Sequence, residues 1–357
     1  MKNWFYEAAY KYKYKFKLYY LYSTIKHQFL QKKEYYFKKR FNFFRHNYII
    51  KNRYLFSIIF LYMTKNLDIQ NDIINASNKI KELKNEIAKK IVWQSEMIDS
   101  LLIWLFAQWH ILVEWVPWLA KTLTIDTLSK TLDLWFNRIQ FTPDLLPSDL
   151  IGTEIYNSKT MDFDIKKWPI FNNFILADEI NRAPSKVQSA LLEAMSEKQV
   201  TIWKDSFILD KPFIVLATQN PIEQTGTYKL PEAQLDRFML KVNVDYPSYD
   251  EEKEMYKKIL WSDNEILNKI MDKKDIFLIQ DLVKKVFISE SIFDYVTNIV
   301  DATRNPSKYN IWELETYISY WASPRAWLSL LNASRVIALM NERSFVIPED
   351  IKKIALL

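Results

Sequence analysis

Residues 111–122 read Ile-Leu-Val-Glu-Trp-Val-Pro-Trp-Leu-Ala-Lys-Thr. An apolar strand runs into a short loop, and Lys-Thr opens a helix. That order is the order of a phosphate-binding loop. In such a loop backbone N–H groups curl around phosphate oxygens, Lys reaches the β- and γ-phosphates, and Thr ligates Mg²⁺. The candidate nucleotide-binding residues are therefore Trp115, Val116, Pro117, Trp118, Leu119, Ala120, Lys121 and Thr122. Trp115 and Trp118 are physically out of place among them. The curl needs φ > 0 and leaves no room for a side chain, which is a task for glycine.

Composition turns this into a hypothesis. The 357 residues contain 2 Gly and 13 Trp, where ordinary usage of about 7% would give about 25 glycines. Lys, Ile, Asn, Tyr and Phe are abundant, as an AT-rich genome favours. One reading is that UGA codons meaning glycine in the source organism stand here as tryptophan. The other is a genuine Trp-rich, glycine-poor protein. There is no Cys, so neither a disulfide framework nor a Cys metal site is possible. His27, His46 and His110 are too scattered to suggest a metal cluster.

Residues 1–62 differ from the rest. They carry 14 Lys+Arg against 2 Asp+Glu and hold 22 aromatics, whereas the remainder carries 35 against 41. Alternating basic and aromatic residues (KYKYKFKLYYLY, 11–22) suit nucleic-acid binding. The run YLFSIIFLYM (54–63) suits a membrane surface but is about half the length a bilayer span needs. The third reading is translated AT-rich upstream sequence, with Met63 as the start. On that reading neither a membrane span nor a nucleic-acid partner is expected.

From residue 70 the pattern is globular. A charged amphipathic helix is expected over 70–90 and an apolar one over 95–108. Strands (110–114, 137–141, 173–178, 212–218, 239–244) then alternate with helices (121–133, 184–196, 231–236). Such alternation predicts an α/β sheet covered on both faces, with its ligand site at the carboxyl ends of the strands. The motifs fall there. FILADE (174–179) is an apolar strand ending in an acidic pair. Asp178 would hold Mg²⁺ and Glu179 would polarise the attacking water, although an acid pair at a strand end can also simply cap the next helix. FIVLATQNP (213–221) places Asn220 to touch the γ-phosphate or water, unless Asn-Pro is only a turn.

Three long stretches then carry a resemblance: RIQFTPDLLPSDLIGTEIY (138–156), LADEINRAPSKVQSALLEAMSEKQVTI (176–202) and LATQNPIEQTGTYKLPEAQLDRFML (216–240). Residues 91–244 closely resemble the MoxR family of AAA+ ATPases. SPRA (323–326) and FVIPEDI (345–351) extend the likeness into the lid. The magnesium-chelatase ATPase subunit is a relative within the same fold class, but the LPSD-GTEIY and LPEAQLDRF runs favour MoxR. The resemblance implies a P-loop AAA+ three-layer αβα domain with a parallel sheet, followed by a small α-helical lid. The expected division is a basic extension (1–62), a helical segment (63–90), the ATPase core (91–248) and a C-terminally truncated lid (249–357). Lid helices are expected at 250–260, 265–272, 276–286, 290–303, 325–341 and 348–356.

The resemblance also implies ATP and Mg²⁺ as cofactors and catalytic roles for Glu179, Asn220, Arg237 and Arg325. Arg237, in LDRF, would be the finger reaching the neighbouring subunit's γ-phosphate. Arg325, in SPRA, would be the second sensor. Each could instead be a plain ion-pairing residue. Residues 143–168 resemble the helix-2 insert and 198–212 the hairpin before the first sensor, which makes Lys198, Trp203 and Lys204 client-contact candidates. Partners would be further copies in a ring, usually a hexamer, a von Willebrand factor A-domain protein and a client, in the cytoplasm. Trp93, Trp109, Trp115, Trp118, Trp168 and Trp321 occupy family glycine slots. Trp104, Trp135, Trp203, Trp261, Trp312 and Trp327 fall where the family varies.

Overall fold

A computed structural model describes residues 53–91, 95–115, 121–159, 161–167, 169–219, 227–228, 230–244, 249–253, 257, 266–318 and 320–355. The chain divides into two compact units at Leu67 and Asp68, and the fold below is that of the second. It is built on five parallel strands: β1 (Ile111–Trp115), β2 (Phe136–Gln140), β5 (Phe174–Asp178), β8 (Ile214–Gln219) and β9 (Leu240–Val244). Two further pairs form antiparallel hairpins, β3 (Gly152–Asn157) with β4 (Asp162–Lys167) and β6 (Gln199–Ile202) with β7 (Asp205–Ile208). The main sheet runs β2-β5-β8-β1-β9. Every residue of β5 is buried, as a strand covered on both faces requires.

The period-2 alternation of strands divides the interior into two cores. Phe174 and Leu176 of β5, with Ile214 and Leu216 of β8, face one of them. Ile175, Ala177, Val215 and Ala217 face the other. The first core is closed by the part of α1 (Arg53–Lys90) from Ile73 onward, by α2 (Ser95–Ala107), by α3 (Lys121–Thr131) and by the lid. The second is closed by α4 (Pro147–Ile151) and α5 (Ser185–Glu197). On α5, Val187, Gln188, Leu191, Leu192 and Met195 form one buried stripe, the spacing that seats an amphipathic helix. The α/β, three-layer expectation holds.

A short α6 (Glu232–Leu235) precedes β9, and the lid follows as α7 (Lys273–Lys285), α8 (Glu290–Arg304), α9 (Pro324–Met340) and α10 (Pro348–Ala355). These match four of the expected lid helices to within about three residues at each end. Of the expected helix 250–260, residues 249–253 are helical and most of the rest lies outside the described residues. The expected helix 265–272 is wrong where it is described: residues 266–272 are irregular. Their backbone donors are taken by other elements. Asn268 N–H donates to Glu86 Oε1 at 2.8 Å, and Ile270 N–H to Thr131 O at 2.9 Å. Asp272 then caps α7 reciprocally with Asp275, a helix-start device that forces the break.

Within the lid Asp350 is buried and held by an ion pair. Arg343 Nη1 and Nη2 donate to Asp350 Oδ2 and Oδ1 at 2.8 and 2.6 Å, and Ile347 N–H adds a third bond at 3.0 Å. Helix α1 is tied to the same region through Ser77 Oγ, which donates to Met340 O at 2.8 Å. No helix among the described residues is long and apolar enough to cross a membrane.

Candidate active site

Because the five strands are parallel, their carboxyl ends form one edge. Gln140 on β2 lies beside Asp178 on β5, and Ala177 beside Ala217 on β8. Thr218 is therefore one residue further along, level with the acidic pair. Its hydroxyl donates to Asp178 Oδ1 at 2.5 Å and accepts from Glu179 N–H at 3.0 Å. Thr218 is fully buried and Asp178 is 5% exposed. One hydroxyl thus fixes both acidic residues.

Glu179 has φ 58 and ψ 48. Left-handed backbone costs a non-glycine residue about 1–2 kcal/mol, and such strain gathers at functional positions. The turn lifts Glu179 out of the strand line. Its Oε2 accepts from Gln140 Nε2 at 2.9 Å and pairs with Arg182 Nη1 at 3.1 Å. Asp178 Oδ2 accepts from Arg138 Nε at 3.2 Å and Nη2 at 2.7 Å. Arg138 and Gln140 are two apart on β2, so both project from one face of the sheet, where Arg138 reaches Asp178 and Gln140 reaches Glu179.

The loop belongs to this edge too. β1 lies inside the sheet between β8 and β9 and ends at Trp115, and α3 begins at Lys121. A helix N-terminus there favours an anion. Val116, Pro117, Trp118, Leu119 and Ala120 lie outside the described residues, as do the side chains of Trp115, Lys121 and Thr122. Asn220, one residue beyond β8, is also outside them. The structure thus brings Asp178 and Glu179 together at the edge where the loop opens. Sequence reasoning missed Thr218, Arg138, Gln140 and Arg182. The signal was available in part: Thr218 stands two residues before Asn220, and Arg-Ile-Gln alternates across β2.

The residues present fit a nucleotide with Mg²⁺. A small hard cation of this kind takes one or two carboxylates and completes its shell with waters and substrate phosphates, and Asp178 supplies such an oxygen. Among the described residues there is no group of three or more His, Cys, Asp or Glu able to hold a metal by themselves.

Arg237 and Arg325 lie elsewhere. Arg237 follows α6, two residues before Met239, whose N–H donates to His110 O at 2.7 Å. His110 precedes β1, so Arg237 enters at the amino edge. Its Nε is buried with no hydrogen-bond partner. Arg325, exposed on the first turn of α9, pairs with Asp236 at 3.6 Å. Ser323 Oγ also donates to Asp236, which joins the start of α9 to the chain beside Arg237.

The two protrusions take the form of hairpins. The segment 143–168 contains α4 and the β3–β4 hairpin, whose Tyr156 and Met161 are exposed. The segment 198–212 contains β6–β7, with Trp203 and Lys204 at the turn. Trp203 has φ 55 and is 76% exposed.

Comparison with known proteins agrees with this geometry. The family model described as ATPase family associated with various cellular activities (AAA) matches residues 110–240, and the AAA lid domain model matches 314–357. The chain is 43% identical over 266 residues to Chaperone MoxR1 of Mycobacterium tuberculosis, covering 74% of this chain and 70% of that one. It is 45% identical over 271 residues to the uncharacterized protein YeaC of Bacillus subtilis, covering 75% and 82%. A crystal structure of a presumed ATPase from Cytophaga hutchinsonii superposes with a TM-score of 0.75 at 50% identity, covering 82% of this chain and 88% of that one.

Proposed function

Since the chain belongs to the MoxR family of AAA+ ATPases, we propose that it is a Mg²⁺-dependent ATP hydrolase working as a ring. Six copies form that ring, which couples hydrolysis to the remodelling or maturation of a client protein in the cytoplasm. A von Willebrand factor A-domain protein is the partner expected beside it.

The observation that carries this reading is the junction of Asp178, Glu179 and Thr218 at the carboxyl edge where the loop opens. Lys121 binds the β- and γ-phosphates, and Thr122 and Asp178 hold Mg²⁺. Bound Mg²⁺ neutralises charge developing on the phosphate oxygens. Glu179 orients the attacking water once Gln140 and Arg182 release its carboxylate, and Asn220 holds the same water or the γ-phosphate. Arg237 and Arg325, linked through Asp236, are offered together to the neighbouring copy. The domains divide at 62/63, 90/91 and 248/249.

Part of the same proposal is that glycine belongs at Trp115 and Trp118. Support comes from Trp203, whose positive φ at an exposed turn suits glycine. Trp104 favours the second reading, a nucleotide-free scaffold with genuine tryptophans. It is 1% exposed and packs on Phe174 with ring centroids 5.4 Å apart. Calorimetric titration separates the two. The chain with Trp115 and Trp118 should show no ATP binding, whereas glycine at both should give binding that disappears with Lys121→Ala. In that glycine form Glu179→Gln should bind ATP and lose turnover. Tight binding by the Trp form would refute the glycine assignment.

A further inference from the structure

At the amino edge of the sheet, opposite the acidic pair, the end of α2 meets lid helices α7 and α9. They enclose a cavity of about 160 Å³ lined by Phe106, Gln108, Gln280, Lys284, Asn332 and Arg335. Two of these side chains carry a buried polar atom with no partner, Gln280 as a fully buried residue and Arg335 as a half-buried one. Gln280 is 1% exposed. Its Nε2 donates to Leu105 O at 2.9 Å, but its Oε1 has no partner. Arg335 Nε is likewise buried without a partner, and its guanidinium forms no ion pair among the described residues.

Unmet buried polar atoms cost free energy. The surroundings add to the positive charge. Burial alone pulls the Arg335 pKa below its usual value. Burial also lowers that of Lys198, with repulsion from Lys211 and Lys284 adding to it. The acid paired with this cluster is Asp281, which meets Lys284 at 2.9 Å on the exposed side.

We infer that this cavity is a binding site for inorganic phosphate, separate from the nucleotide site. The guanidinium of Arg335, the Lys284 ammonium and the Asn332 amide supply donors for an oxyanion. Gln280 Oε1 calls for a donor in return, and hydrogenphosphate carries an O–H where sulfate has none. The volume lies well below the ~300 Å³ at which drug-sized pockets begin, so a nucleotide is excluded and a tetrahedral oxyanion is admitted. Because core and lid both line the site, its occupant ties α2 to α7 and α9.

Thermal unfolding in phosphate, sulfate and chloride at equal ionic strength tests this. Saturating phosphate should raise Tm by about 5 °C over chloride, with sulfate giving less. The rise should survive Lys121→Ala, which removes the loop lysine, and vanish in Arg335→Met. Should Arg335→Met not fold, Lys284→Gln should weaken phosphate binding at least fivefold by calorimetry. A rise that persists in Arg335→Met, or a Lys284→Gln affinity equal to wild type, overturns the site. So does a rise lost in Lys121→Ala, which would belong to the loop. Phosphate no better than chloride would show that the cavity holds only water.

Discussion

His110 shows how one side chain can set a pH limit on the whole protein. Its Nε2 donates to Met195 O at 3.1 Å, and its Nδ1 accepts from Val215 N–H at 3.1 Å. Both nitrogens are used by the neutral ring, so a second proton would displace the Val215 bond. Burial pushes its pKa down to about 4, partly opposed by the hydrogen bond to the Met195 carbonyl, with a lesser push downward from Lys198. A histidine depressed in the folded state contributes stability that is present above its unfolded pKa of 6.5 and is lost as pH falls from there towards 4. Between pH 7 and pH 5 the loss should be about 2 kcal/mol. Urea unfolding at those two pH values should show it in the wild type and not in His110→Gln, whatever the absolute stability of the variant. Equal losses in both proteins would remove His110 as the cause. Residue-scale chemistry of this kind was only partly legible. Asp178 and Glu179 could be read from the strand that ends in them. Thr218 could not, because its role comes from the register of β8 against β5, which is a property of the sheet and not of either segment.

At the scale of elements the tryptophans separate into kinds that the sequence treats alike. The β6–β7 turn holds Trp203 at φ 55 with its indole in solvent. Glycine there removes left-handed strain and gives up no buried surface, so Trp203→Gly should stabilise by about 0.5–1 kcal/mol, the strain relief being partly offset by glycine's greater chain entropy. Helix α2 holds Trp104 inside the core, with Nε1 lacking a partner. Trp104→Gly trades an unmet donor for a cavity, and the cavity dominates, at about 3–5 kcal/mol of destabilisation. Denaturant midpoints of the two variants should move in opposite directions; movement the same way would mean that backbone conformation is not what distinguishes these sites. The same contrast explains what the sequence could show of the elements. Strongly periodic segments such as α5 and the apolar β5 were readable because a buried stripe or a doubly covered strand imposes its own pattern. Residues 266–272 looked helical, yet their donors go to Glu86 and Thr131, far away in sequence. Local propensity has no access to that competition.

For the whole molecule, the parallel sheet puts the two halves of the proposed chemistry on opposite edges. Glu179 follows the carboxyl end of β5, whereas Arg237 precedes the amino end of β9. Five residues at about 3.3 Å each make a strand about 15 Å long, so an arginine at one edge cannot reach a phosphate at the other. If Arg237 acts, it acts on another copy, and the adjacent Asp236 ties Arg325 to the same stretch of chain. Losing such an arginine costs about 10³–10⁵ in rate in related phosphoryl-transfer systems. In the glycine form, Arg237→Ala should therefore bind ATP and lose hydrolysis, as should Glu179→Gln. Mixing the two inactive proteins should restore part of the activity, because some interfaces then pair an intact Glu179 with an intact Arg237. Light scattering with ATP and Mg²⁺ on the same mixture reports whether copies assemble at all. An assembled mixture that stays inactive would place both residues in one copy's site, against the sheet geometry. A monomer at every concentration would remove the ring, and with it any role for Arg237 in catalysis, since the strand length denies it a site of its own.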